Sequence, residues 1–216
     1  MADAMRIELV NIPSGELTMG VPPVPANADI TRLWDTGKQV KLRPFKLGRY
    51  PVTNGQYLTF VEETGADRPD NVDTEGTNAA NQPVGGLSWE DADAYARWLA
   101  ERTGLPYRLP TDSEWEYAAR GGRESTIFPW GDEISAELCC YNNLPAPTPV
   151  GQYPPNGFGL YDMVGISPCR TGVTSQQISD AKVQTRVEEQ PAEAADRDVP
   201  TRAQEEDGDV NATVDA

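Results

Sequence analysis

Three cysteines, Cys139, Cys140 and Cys169, are the residues of this 216-residue chain whose chemistry is most specific. Thiolates bind soft metals and carry redox chemistry, and Cys clusters generally point to such sites. Here the spacing argues against it. Cys139 and Cys140 are adjacent, where side chains diverge and a bridge between them is strained. Cys169 stands alone. A buried or loop thiol pair plus a separate thiol is the simpler reading. Histidine is absent altogether. That removes a Ser-His-Asp triad, His-ligated zinc and a facial-triad iron from this chain. Asn71-x-Asp73-x-Glu75-Gly76 superficially resembles the start of an EF-hand loop. Its first position is not Asp and Gln82 stands at the twelfth, so a solvated acidic loop is the better reading.

Charge narrows the partners. Asp and Glu number 34 against 18 Lys and Arg, a formal charge of -16. Nucleic acid is a poor partner for such a surface, and so is an anionic membrane. No apolar run approaches the ~20 residues of a spanning helix. The start, MADAMRIELV, has no basic region followed by an apolar stretch. The chain reads as soluble and cytoplasmic, without a disulfide framework. Only four of its basic residues are lysines. Acid-rich, lysine-poor composition suits a protein working in concentrated salt, where carboxylate repulsion is screened. An acidic tail on a protein from a GC-rich genome would give the same balance.

The elements that would position these residues are legible in outline. Residues 6–10 and 16–19 read as short strands joined by a Pro13-Ser14-Gly15 turn, and 39–47 as an alternating stretch broken at Pro44. Residues 20–38 read as a loop. Three helices share one device: Thr53-x-x-Gln56, Ser88-x-x-Asp91 and Thr111-x-x-Glu114 have capping-box spacing. The helices are expected over 54–64, 89–102 and 112–120, stopping at Gly65, Gly104 and Gly121-Gly122. Their inward faces should carry Tyr57, Phe60 and Val61; Ala92, Tyr95, Ala96 and Leu99; and Trp115, Ala118 and Ala119. Arg108 and Arg120 flank the third helix, and pairing with Glu114 and Glu116 would pin loops to it. Beyond it the chain is turn-rich. Pro129-Trp130-Gly131 reads as an aromatic plug in the core.

Residues 166–216 are different material. They carry 11 acids against 5 bases and no aromatic residue, whereas all 17 aromatics lie at or before Tyr161. Their larger apolar side chains, two Ile and six Val, cannot offset the backbone entropy of ordering 51 residues. The expectation is a disordered acidic tail, with a transient helix over 175–190 ahead of Pro191.

Seven blocks in order carry a resemblance. They are Gly15-Glu16-Leu17-Thr18-Met19-Gly20; Tyr50-Pro51-Val52-Thr53-Asn54-Gly55-Gln56-Tyr57; Gln82-Pro83-Val84-Gly85-Gly86-Leu87-Ser88-Trp89-Glu90-Asp91-Ala92; and Tyr107-Arg108-Leu109-Pro110-Thr111-Asp112-Ser113-Glu114-Trp115-Glu116-Tyr117-Ala118-Ala119-Arg120-Gly121-Gly122. Phe128-Pro129-Trp130-Gly131, Pro149-Val150-Gly151 and Pro155-Asn156-Gly157-Phe158-Gly159-Leu160-Tyr161-Asp162-Met163-Val164-Gly165 complete the set. On these strings the chain resembles the formylglycine-generating enzyme family, the sulfatase-modifying-factor domain. The resemblance implies an α+β, C-type-lectin-like fold with long loops. It also implies an oxygen-dependent oxidoreductase that binds copper through a spaced cysteine pair and oxidises a cysteine of a sulfatase-like protein or peptide to formylglycine. A calcium site is implied too, with Asn142 and Asn143 loosely matching one ligand position.

The resemblance stops after Gly165. A Trp-Glu-Trp string should follow, leading to the family's cysteine pair. Instead the chain reads Ile166-Ser167-Pro168-Cys169-Arg170 and enters the acidic tail. The expected organisation is an incomplete domain over 1–165 and an acidic tail over 166–216. No family catalytic residue carries over, so the copper and calcium sites are incomplete and the expected chain is inactive. A lectin-like binding or interaction module is the rival reading, and a non-functional gene fragment a third.

Overall fold

A computed structural model describes residues 6–20, 37–69, 72, 77, 79–124, 126–133, 135–140 and 147–164, and the backbone of 186–187. Two β-ribbons open the chain. β1 (Leu9–Ile12) and β2 (Gly15–Thr18) are followed by β3 (Gln39–Leu42) and β4 (Phe45–Gly48). β1 pairs antiparallel with β4, Leu9 opposite Gly48, and β2 with β3, Gly15 opposite Leu42. The first strand therefore begins at Leu9, not at Arg6, and runs on to Ile12. Its position follows β4: Ile12 faces Phe45, and both are 1 % exposed. Pairing to a buried strand overrides the alternation upstream.

The helices form where the hydroxyl–acid spacing puts them. α1 (Asn54–Thr64), α2 (Trp89–Thr103) and α3 (Asp112–Arg120) each have a complete capping box, at Thr53/Gln56, Ser88/Asp91 and Thr111/Glu114. Asp91 is shorter than the usual Glu, yet its carboxylate still accepts from the Ser88 N–H at 3.1 Å. Each helix ends on a left-handed glycine, Gly65, Gly104 or Gly121. That conformation costs glycine nothing and turns the chain out of the helix.

Two apolar clusters result. One joins α1 and α2 through Tyr57, Phe60, Tyr95, Trp98 and Leu99, with Tyr107 of β5 (Tyr107–Arg108) beside them. Its rings interlock, with Phe60 edge-on to Tyr95 at 5.8 Å and Tyr57 stacked on Tyr95 at 5.5 Å. The other joins β1, β2, β3 and β4 to α3 through Ile12, Leu17, Leu42, Phe45, Leu47, Ala118 and Ala119, closed by Leu160 and Met163. Trp115 packs against this cluster half-buried, so α3 buries less of its expected face than its alanines do.

The larger sheet has the order β1-β4-β6-β5, in which β6 is Arg186–Val187. This departs from the transient helix expected over 175–190: at Arg186–Val187 the chain is extended and lies between two strands. The rest of 165–216 lies outside the described residues.

Candidate functional site

The long loops after α3 carry the residues singled out for chemistry. They are held by single polar side chains. Asn156 is the main anchor. Its Nδ2 donates to the carbonyls of Ala118 (2.7 Å) and Ala119 (3.1 Å), at the C-terminal end of α3. Its Oδ1 accepts from the N–H groups of Phe158 (3.0 Å) and Leu160 (3.1 Å). The Pro154-Pro155-Asn156-Gly157 turn is thereby bound to the end of α3, where it supplements the Gly121 N–H on the Ala118 carbonyl and gives the Ala119 carbonyl a donor. Gly157 lies so close to the Gly121 carbonyl that a Cβ there would overlap it.

Asp162 makes the second bend. It is a non-glycine residue at φ 56° and is almost buried. Left-handed backbone is tolerated better by Asp than by most side chains. Its carboxylate repays the conformation by accepting from the Gly151 N–H at 2.6 Å. The Tyr161 ring packs tilted against Tyr50 at 4.9 Å, and its N–H donates to the Arg49 carbonyl.

These bends shape one wall of a shallow groove. Pro129, Trp130 and Leu138 face Leu160, Asp162 and Met163 across about 60 Å³. Small-molecule pockets start near ~300 Å³, so the groove fits a side chain rather than a drug-sized ligand. Trp130 lies half-buried in its wall and stacks on Phe128 at 5.4 Å, while its Nε1 donates to the Glu133 carbonyl. The expected core plug is thus a wall of the groove. A four-residue turn, bonded reciprocally between Phe128 and Gly131, is too short to drive its ring inward.

Cys139 and Cys140 lie nearby, each 1 % exposed and neither in a disulfide. The Cys139 thiol donates to the Ser135 carbonyl at 3.5 Å. Burial pushes the Tyr153 hydroxyl pKa up, and Cys140, Cys139 and Asp162 add to it, against a lowering hydrogen bond with Thr148. Among the described residues no group of three or more His, Cys, Asp or Glu is placed to hold a metal ion. Asn142, Asn143, Cys169 and the EF-hand-like Asn71, Asp73, Glu75 and Gly76 lie outside the described residues.

The arginine–carboxylate pairs pin loops as expected. Arg108 grips Glu114 with two bonds of 3.0 Å, and Glu114 also accepts from the Thr111 N–H. Glu116 accepts from the Gly20 N–H at 3.0 Å, while Arg120 donates to Glu116 and to the Gly20 carbonyl. This fixes the chain at the end of the first β-ribbon to α3. Sequence reasoning missed Asn156, Asp162 and two further anchors. Asn54, fully buried, donates to the carbonyls of Thr77 and Ala79; Gln82 donates to that of Pro147. Asn and Gln inside otherwise apolar or turn-rich strings were the available signal.

A family model described as the sulfatase-modifying factor enzyme 1-like domain matches residues 2–166. The formylglycine-generating enzyme of Streptomyces coelicolor is 30% identical over 72% of this chain and 65% of its own length. That of Mus musculus is 27% identical over 73% of this chain and 56% of its own length. The chain thus spans little more than half to about two-thirds of these relatives. The inactive C-alpha-formylglycine-generating enzyme 2 of Bos taurus is 27% identical over 76% of this chain and 70% of its own length. Among solved structures, PvdO from Pseudomonas aeruginosa aligns with a TM-score of 0.60 at 31% identity, covering 74% of this chain and 67% of its own.

Proposed function

Because the chain belongs to the sulfatase-modifying factor enzyme 1-like domain family, we propose that it is a peptide- or protein-recognising module of that family without cysteine-oxidising activity of its own. The observation that carries this reading is the state of its thiols. Soft thiolates suit Cu(I), and the family resemblance implies a spaced pair of them open to an incoming thiol. The chain has cysteines only at 139, 140 and 169. The two in the fold are adjacent and 1 % exposed, and one donates its proton to a backbone carbonyl. This donor set does not fit a copper ion shared with a substrate, so no step is derived through one.

The recognition half of the proposal rests on the groove beside Trp130. Its lining combines the Trp130 ring with prolines, chemistry suited to a peptide side chain. The test uses the purified chain, Cu(I), oxygen and a Cys-x-Pro-x-Arg peptide, the substrate type the family resemblance implies. Saturable binding in fluorescence anisotropy with no change in peptide mass is expected. Conversion of the thiol to an aldehyde would refute the inactive reading, and absence of binding would refute recognition of this peptide class.

A further inference from the structure

The sheet contains a gap that the family-matched part of the chain does not fill. β4 is covered on one edge by β1, and among the described residues of 2–166 β5 has no sheet partner. Between β4 and β5 lies β6, 20 residues beyond the matched region. We propose that the gap is a strand-acceptor site whose occupant is the chain's own tail segment at Arg186–Val187, docked within the same molecule. The proposal is independent of the reading of the thiols.

The register supports one occupant serving both edges. Val187 lies opposite Lys46 on β4 and Tyr107 on β5; Arg186 lies opposite Leu47 and Arg108. β4 is the strand that most needs this cover. Phe45 is 1 % and Leu47 0 % exposed, and β4 has none of the prolines or bulges that blunt a free edge. Buried backbone N–H and C=O groups there require partners.

The tail sequence suits the slot. Val183, Thr185 and Val187 alternate with Gln184 and Arg186, the period of a strand with β-branched residues on one face. Residues 181–187 contain two bases and no acid, in a tail of 11 acids and 5 bases. This local positive charge complements residues 1–165, which carry 23 acids and 13 bases. The 21 residues from 165 to 185 tether the strand, and tethering at this length raises effective concentration to the order of mM.

Two measurements on the full chain test this. In the first, Lys46→Cys and Val187→Cys are combined with Cys169→Ser, and the protein is oxidised and sized by mass. An intramolecular disulfide is expected. A disulfide-linked dimer would assign the slot to a second copy's tail, and no bond between 46 and 187 would mean the segment does not dock; either overturns the proposal. In the second, amide exchange is followed in wild type, Arg186→Pro and Val187→Pro, since proline removes a ladder donor. Each variant should raise exchange at Lys46, Leu47, Tyr107 or Arg108 about tenfold or more, because losing a donor undocks the two-residue strand and uncovers the N–H groups facing it, with α1 and α2 unchanged. Exchange at those four residues equal to wild type in both variants would overturn the proposal. Should the proline variants fail to fold, the disulfide result decides.

Discussion

Replacing Asn156 should cost more than any other loop substitution, because one side chain closes four backbone hydrogen bonds. In Asn156→Ala the Leu160 N–H and the Ala119 carbonyl lose their side-chain partner in buried surroundings. Stranding a buried polar group costs about 1–3 kcal/mol. The Ala118 carbonyl keeps the Gly121 N–H at 3.2 Å, and Phe158 is half-exposed, so those two bonds cost about 0–1 kcal/mol each. The total is about 5 kcal/mol. A domain of this size loses ~2–4 °C of Tm per kcal/mol, so Tm should fall by about 10–20 °C. Asn156→Asp separates the two halves of the effect. Its carboxylate still accepts from Phe158 and Leu160, but it donates nothing to Ala118 and Ala119 and faces the negative end of α3. A loss of about 2–4 kcal/mol is expected. Urea denaturation with an unchanged m-value, together with calorimetry, reads both variants. An Asn156→Asp chain as stable as wild type at neutral pH would refute the argument that the amide caps α3.

Three further outcomes are expected. The Tyr95 hydroxyl is buried without a hydrogen-bond partner among the described residues, so Tyr95→Phe should raise stability by ~1 kcal/mol, measured by urea midpoint; a loss of stability would refute this. Burial first, then Asp91 and Asp67, push the Tyr57 pKa up to about 12 from the ordinary 10.0. The unfolded chain then deprotonates before the folded one. Stability should be fully present below pH 10 and fall as pH rises towards 12, with the tyrosinate absorbance of Tyr57, read as the difference from Tyr57→Phe, appearing together with unfolding; a difference signal at pH 10 in the folded state would contradict this. Finally, with a net charge of -16, Tm should rise between 0.1 M and 1 M NaCl, as the Debye length shrinks from ~10 to ~3 Å; a flat or falling Tm would remove the screening argument.

What could be read in advance was local. The three capping boxes and three glycine stops lie within four residues of the helix ends they govern, so the sequence shows cause and effect side by side. The Arg108–Glu114 pair is six residues apart and was legible for the same reason. Strand edges were not. β1 begins at Leu9 because of Phe45 to Gly48, and β5 is two residues long with partners 80 and 78 positions away, at Val187 and Arg186. Nothing within Tyr107-Arg108 announces that pairing. The Pro154-Pro155-Asn156-Gly157 turn was visible as a turn. Its bonds to Ala118 and Ala119 were not, because they span 38 and 37 positions. The groove was invisible for the same reason, its two walls coming from 129–138 and 154–164.

The nonlocal bonds share a logic that bears on function. The described fold has three helices and six short strands, so much of its backbone has no ladder to bond to. Buried N–H and C=O groups in the loops must then find side chains. Asn54, Gln82, Glu116, Asn156 and Asp162 each meet that need by reaching a distant backbone stretch. Each anchor is one residue wide. The loop residues between anchors are therefore free to differ while the frame stays fixed, which is the arrangement a recognition scaffold requires. A catalytic centre needs more: several reactive groups held together and open to substrate. Here the only thiols in the described fold are buried among the anchoring loops, while Trp130 and the prolines are turned towards the groove. The same packing that keeps the loops in place thus withholds the thiols and presents the aromatic wall.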